Sequence, residues 1–208
     1  MTSSWDESRR AFGDAAAWFV RTAALVAGRW DAPGLGEWDV RALVGHTSRS
    51  LSTVEAYLAR PAPVVEVGSA AEYFRAVSAA AAAPGVAQRG REAGEALGAD
   101  PASAVAGLAA RVLDLVAART GEEVVTTFAG GMRLADYLPT RTVELSVHTA
   151  DLAAALDLPA DAVGDVPASA ARQALHLVAD LAVERGLAGA LLRVATGRPA
   201  PISGLSVL

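Results

Sequence analysis

The sequence predicts an all-α fold: a bundle of four main helices with a crossover connection, an extra C-terminal helix and a short tail. Three observations predict it. The chain is 52% hydrophobic but only 5% aromatic, so its core is built from Leu, Val and Ala, and Ala and Leu are the strongest helix formers. Apolar residues recur at spacings of three and four in stretch after stretch, the period of a helix with one buried side. Helix start and stop residues punctuate these stretches. At 208 residues the chain is long enough for one sizeable domain, placed at 1–186, with 187–208 as the tail.

The first helix runs from Ser4 to Gly28, with Phe12, Ala16, Phe19, Ala23 and Val26 inward. Arg29 to Glu37 is a Gly-rich loop. Asp39 caps a second helix that runs to Arg60 and buries Val40, Leu43, Val44, Leu51, Val54 and Leu58. Pro61 and Pro63 end it. Ser69 caps a helix through Ala83, Pro84-Gly85 breaks it, and Gln88 to Leu97 forms another short one; together they connect the bundle helices. Asp100-Pro101 opens a strong helix to about Arg119. Glu122 to Phe128 is β-branched and extended, leading to Gly130-Gly131. A helix from about Arg133 to Leu156 follows, with Pro139 inside it as a kink or a later true start. Asp157 to Val166 is a loop, and Pro167 to Arg185 is the last helix, stopped by Gly186. The tail holds one apolar run, Ala190 to Val194.

Composition removes several classes of function. The net charge of −5 comes with no basic patch, so no nucleic-acid partner is expected. With no cysteine, disulfides, thiolate ligands and a cysteine nucleophile are excluded, and any thiol chemistry must use a thiol from outside. The N-terminus MTSSWDESRR is too polar for a signal peptide, and the apolar run Ala76 to Ala83 is too short to span a bilayer. A soluble, cytoplasmic protein without a membrane partner is the expectation. Lys is absent and every basic residue is Arg, which matches a GC-rich bacterial coding bias.

The chemistry concentrates in Tyr137 to Leu156. On a helix, Arg141, Glu144, His148 and Asp151 share one face, because residues three and four apart stack. Four ionisable groups there are no ordinary core stripe. Glu144 and His148 can point at one metal ion, and a third ligand must come from elsewhere. His46, near the start of the second helix, can supply it across a bundle core. Two imidazole nitrogens and a carboxylate leave a fourth position open, the arrangement of catalytic zinc, and the same set also accepts Fe(II), Ni(II) or Mn(II). Asp151 can accept a hydrogen bond from His148 and orient it. Arg141 can bind an anionic ligand or pair with Glu144.

Plainer readings stand beside these. Acids are 23 of 208 residues, so a histidine has an acid four residues before it about one time in nine, and the pair alone is weak. Asp151 can equally be a solvated helix charge. His176, among Leu175, Leu177, Val178 and Leu181, reads as a core or interface histidine.

Two segments carry a resemblance. GLGEWDVRALVGHTSRSL, with its Trp and Val-Gly-His, and RTVELSVHTADLAAALDLP, with Arg-x-x-Glu-x-x-x-His-x-x-Asp-Leu, occur in this order. Together they resemble the signatures of the mycothiol-dependent maleylpyruvate isomerase-like proteins, over roughly Ser4 to Pro159. The resemblance implies a DinB-like four-helix bundle and a divalent metal, usually zinc, on His46, Glu144 and His148. It also implies an actinobacterial host whose low-molecular-weight thiol is mycothiol, and a small electrophile as substrate. Two departures are visible. Thr47 stands where the family often has an apolar residue. The isomerases carry a substantial second domain where this sequence has only about Leu187 to Leu208, in which Arg198 is a candidate anion-binding group.

The expectation is therefore a mycothiol-using isomerase or S-transferase. His46, Glu144 and His148 hold the metal, Asp151 and Arg141 assist at the site, and Arg141 also contacts the thiol cofactor or an anionic ligand. A homodimer is compatible with this. The alternatives are a non-catalytic metal-binding bundle that serves regulation or dimerisation, and a metal-dependent hydrolase using a bound water.

Overall fold

The computed structural model describes residues 4–81, 85–199 and 205–207. Four long helices make the main body: α1 (Trp5–Ala24), α2 (Val40–Leu58), α5 (Pro101–Ala117) and α6 (Leu134–Ala155). Between the second and third of these lie α3 (Ala70–Ala81) and α4 (Val86–Ala96), the long connection of the bundle. A two-stranded antiparallel hairpin, β1 (Val124–Thr127) with β2 (Gly130–Arg133), leads into α6, with Val125 opposite Met132. The one-turn α7 (Ala160–Val163), α8 (Ala168–Glu184) and α9 (Ala188–Ala195) complete the described elements.

Local chemistry explains the element ends. The Ser4 hydroxyl accepts from the Glu7 amide while the Glu7 side chain accepts from Ser4 N, a reciprocal capping box. Asp39 Oδ1 accepts from Ala42 N at 2.7 Å and Asp100 Oδ1 from Ser103 N at 3.1 Å, each satisfying a free N–H of a first turn. Arg29 Nη1 donates to the Leu156 carbonyl at 2.8 Å, a cation at the C-terminal end of α6, where the helix dipole favours one.

The main core joins Phe12 and Phe19 of α1, Leu43 and Leu51 of α2, Val105 and Val112 of α5, and Leu138, Leu145 and Leu152 of α6. A smaller cluster on the other side of α6 gathers Phe74, Val143, Leu177, Leu181 and Val207. Helix α6 is thus packed on two sides, and its polar face looks between α2 and α3. Two glycines set the approach of α4 to α2. A Cβ on Gly45 would sit 2.1 Å from Gly94 N, and one on Gly94 would sit 2.6 Å from the Arg41 carbonyl. The two backbones touch because neither residue has a side chain.

Several expectations need correction. Pro139 neither stops nor delays α6, which runs unbroken from Leu134 to Ala155. The expected loop 157–166 contains α7, where the Val163 carbonyl accepts the buried Trp18 indole N–H at 3.0 Å. His176 is exposed rather than in the core. The buried stripe of α8 is Ala170, Gln173, Leu177 and Leu181, and His176 lies about 100° of helix rotation off it. The stretch 187–208, for which the sequence sets no structural expectation beyond one apolar run, contains α9. Expectations for residues 82–84, Pro84 among them, and for residues 200–204 fall outside the described residues. Among the described residues no helix is long and apolar enough to cross a membrane.

Candidate metal centre

Helix α2 delivers His46 about two turns after its Asp39 cap. The Gly45–Gly94 contact fixes the height of α2 against α4, and Gly90 of α4 leaves room for the Trp38 indole: a Cβ there would meet the ring at 2.7 Å. Trp38 is held by its N–H to the Ala87 carbonyl, 3.0 Å. Its ring lies 4.4 Å from that of His46, centroid to centroid, so small residues on α4 position an aromatic wall behind the imidazole. Thr47, the departure from the family pattern, is fully buried and returns its hydroxyl to the Leu43 carbonyl at 2.7 Å. That bond satisfies the hydroxyl within the helix, so it costs the core nothing it must repay elsewhere.

Helix α6 supplies the rest. Glu144 Oε2 lies 3.3 Å from His148 Nε2 and 4.0 Å from His46 Nε2, and the two imidazoles meet edge to face at 4.9 Å. One ligand atom from each of the three residues lies within 4.8 Å of the others; among the described residues no other group of three His, Asp or Glu does so. Tetrahedral zinc bonds of about 2.0–2.1 Å would space ligand atoms by roughly 3.3 Å, so modest side-chain rotation closes the set on one ion. The donor set fits the group: two imidazoles and one carboxylate, with a carboxylate behind one ring. The side chains keep 22%, 22% and 17% exposure, which leaves a path for an ion and for an outside ligand.

Asp151 takes the orienting position. Its Oδ2 sits 3.0 Å from His148 Nδ1, so in the neutral ring the Nδ1–H donates to it and the Nε2 lone pair faces Glu144 and His46. Arg141 does not form a salt bridge with Glu144. Its Nε donates to Thr140 Oγ1 at 2.9 Å, and its guanidinium lies over the rings of Tyr137 and Tyr73 at 5.1 and 5.5 Å, a cation–π arrangement. Tyr137 in turn donates to Thr53 Oγ1 of α2 at 2.9 Å. Arg198, the tail candidate, is exposed and donates to the Thr196 carbonyl at 3.2 Å.

Electrostatics in the metal-free protein follow from this packing. Burial would raise the Glu144 carboxyl, but the His148 hydrogen bond and the charge of Arg141 outweigh it and hold it at about 2. Burial would lower His148, yet its bonds to Asp151 and Glu144 push it up to about 9. His46 is lowered to about 4, by burial first and by the His148 charge second. At neutral pH the site therefore holds a carboxylate, one imidazolium and one neutral imidazole, and a cation must displace a single proton, from His148. Two outcomes are expected. Between pH 6 and 9 the metal affinity rises about tenfold per pH unit. Over the same range the melting temperature of the metal-free protein falls, because the stability His148 contributes is complete below 6.5 and lost as pH rises through about 9. Titration calorimetry and melting at stepped pH check both.

Two further residues belong to this site beyond the ligand pattern. Trp38 lies in the first family-like segment, but its stacking on His46 needs α4. Arg49, one turn after His46, is half-buried; among the described residues its guanidinium has no hydrogen-bond or ion-pair partner, and its charge reaches His46. Its spacing of three from His46 was the available clue.

A family model described as the mycothiol maleylpyruvate isomerase N-terminal domain matches residues 8–153. That span includes every residue of the centre. Neither a curated protein nor a solved structure matches the chain.

Proposed function

This chain belongs to the mycothiol maleylpyruvate isomerase N-terminal domain family, and on that premise we propose that it is a metal-dependent enzyme that uses mycothiol to transform a small electrophile, as an isomerase or S-transferase. The observation that carries the reading is the meeting of His46, Glu144 and His148 atoms within 4.8 Å, inside the matched span and open to solvent on one side. His46 and His148 would hold a divalent ion through Nε2 and Glu144 through a carboxylate oxygen, with zinc the best match to the donor set. Such an ion stabilises thiolate over thiol and so supplies a nucleophile at neutral pH, which suits a chain that has no cysteine of its own.

The chain's own side chains do the rest. Asp151 fixes the His148 ring so that Nε2, not Nδ1, faces the site. Trp38 backs His46 and limits water on that side. Arg141, braced on two tyrosine rings, and Arg49 place two positive charges beside the carboxylate-and-imidazole set, which favours anionic groups on whatever binds. Replacing Asp151 with Asn is expected to weaken metal binding by about 10–100-fold while leaving the fold intact; competition against a chromogenic chelator measures it.

The direct test supplies the metal-loaded protein with mycothiol and a maleyl electrophile. Turnover that stops on chelation and returns with zinc is the expected result. Equal rates with and without metal would remove the metal from the reaction, and hydrolysis without thiol consumption would favour a bound-water enzyme instead.

A further inference from the structure

The side of α6 that faces away from the three candidate ligands carries a second constellation. Each helix residue turns by about 100°, which puts Asp136, Pro139 and Val143 opposite Arg141, Glu144 and His148. There a groove of about 400 Å³ opens between the start of α3, the first turns of α6 and one flank of α8. None of the three metal-centre residues lines it.

In its polar lining four side chains carry carboxyl or amide oxygens, against the hydroxyls of Ser8 and Ser69 and the His176 ring. Gln173 is 6% exposed. Its Nε2 donates to Ser8 Oγ at 3.0 Å, while its Oε1 is buried with no donor. On the α6 side Asp136 Oδ2 is buried without a hydrogen bond and is ion-paired with the Arg133 guanidinium at 3.6 Å. Pro139 lines the same wall. Having no N–H, it leaves the carbonyl of Ala135, a further lining residue, without its helical donor. Asp180 and Glu184 add carboxylates one turn apart on α8, of which Glu184 shares its charge with Arg75 at 3.6 Å. Buried acceptors left without donors are uncommon and call for an explanation.

We propose that this groove is a second binding site, for a small organic ammonium ion. A protonated amine brings several N–H donors on one positive charge, which answers both the unpaired Gln173 oxygen and the carboxylates. A neutral polyol would supply donors but not charge. A bare divalent cation lacks its geometry here, since the groove's acids do not converge as the metal-centre ligands do. The volume falls within the usual range of small-molecule sites, about 300–1,000 Å³. The inference does not depend on the metal or thiol reading.

Putrescine is a suitable probe, with 1,4-butanediol as its uncharged counterpart, in titration calorimetry on the full chain. Saturable one-site binding of putrescine is expected, with none for butanediol or calcium chloride. Asp136→Asn should weaken it at least about tenfold, and so should Asp180→Asn, whose exposed position makes it safe for folding. His148→Ala should bind putrescine as the parent does. No saturable binding would overturn the proposal, as would equal affinity in both Asn variants. Butanediol or calcium binding as well as putrescine would overturn the ammonium assignment. Loss in His148→Ala with Asp136→Asn unaffected would move the amine to the metal centre and overturn the second site.

Discussion

Replacing Glu144 with Gln is expected to strip the chain of its metal. The substitution keeps the shape of the side chain and removes the only anionic member of the set. Two imidazoles alone hold a divalent ion poorly, and the amide oxygen that replaces the carboxylate is neutral, so metal content should fall below about a tenth of an ion per chain. A second effect runs through the protein without metal. Glu144 lies 3.3 Å from His148 and helps keep that ring charged. Without it the imidazolium retains only Asp151, its pKa falls, and the metal-free protein should lose about 1–3 kcal/mol at neutral pH, the range for a half-buried charge that loses one partner. Elemental analysis and thermal melting on samples prepared in parallel read the two effects separately. A variant that keeps a full equivalent of metal with an unchanged melt would exclude Glu144 as a ligand.

The largest loss of stability is expected from Gly45→Ala. The added methyl would lie 2.1 Å from Gly94 N and 2.5 Å from Gly94 Cα. Those are backbone atoms of a packed helix, which cannot swing aside as the end of a long side chain can. Helices α2 and α4 must move apart by more than an ångström, which opens the main core along Leu43 and loosens Trp38 from His46. Overpacking of this kind costs about 3 kcal/mol, or roughly 6–12 °C in melting temperature for a domain of this size. Gly13→Ala is the matched control. It is also a helix interior, its nearest neighbour would be Leu113 Cδ2 at 3.8 Å, and the better helix propensity of Ala should raise stability by up to about 1 kcal/mol. Opposite signs from two identical substitutions separate close packing from propensity; a melting temperature for Gly45→Ala at or above the parent's would contradict the α2–α4 contact.

Much of this was legible residue by residue. Asp39, Asp100 and Ser69 were read as caps from their type and position, and each accepts the expected amide. The Val and Leu spacing in α1, α2 and α5 marked the buried sides that pack together. The spacing of Glu144, His148 and Asp151 put them on one face before any contact was known, because the helical period is a property of the backbone alone. Three positions were decided by tertiary packing rather than by local sequence. His176 was judged by its apolar neighbours in sequence, yet Leu175 beside it is 65% exposed, because α8 offers its other side to α1 and α6. Pro139 lies inside α6 as a kink or a later start by sequence; the helix begins before it, at Leu134, and its packing on two sides keeps it continuous where propensity argues for a break. Of the two readings of Arg141, the pairing with Glu144 is not formed; the guanidinium lies over Tyr73 and Tyr137, one of which comes from α3.

The amino-acid sequence by itself determined the long helices, their caps, the bundle class and the shared face of α6, since all of these follow from the dihedral preferences and side-chain periodicity of contiguous residues. Only the tertiary structure decided that His46 closes on Glu144 and His148, that Trp38 backs it, that Arg141 rests on tyrosines, and that a groove rich in acceptor oxygens lies on the opposite side of the same helix. Each of these depends on the height and angle at which separate helices meet. That geometry is set by close contacts such as Gly45 against Gly94, which involve residues 49 positions apart and leave no trace in the local pattern of either segment.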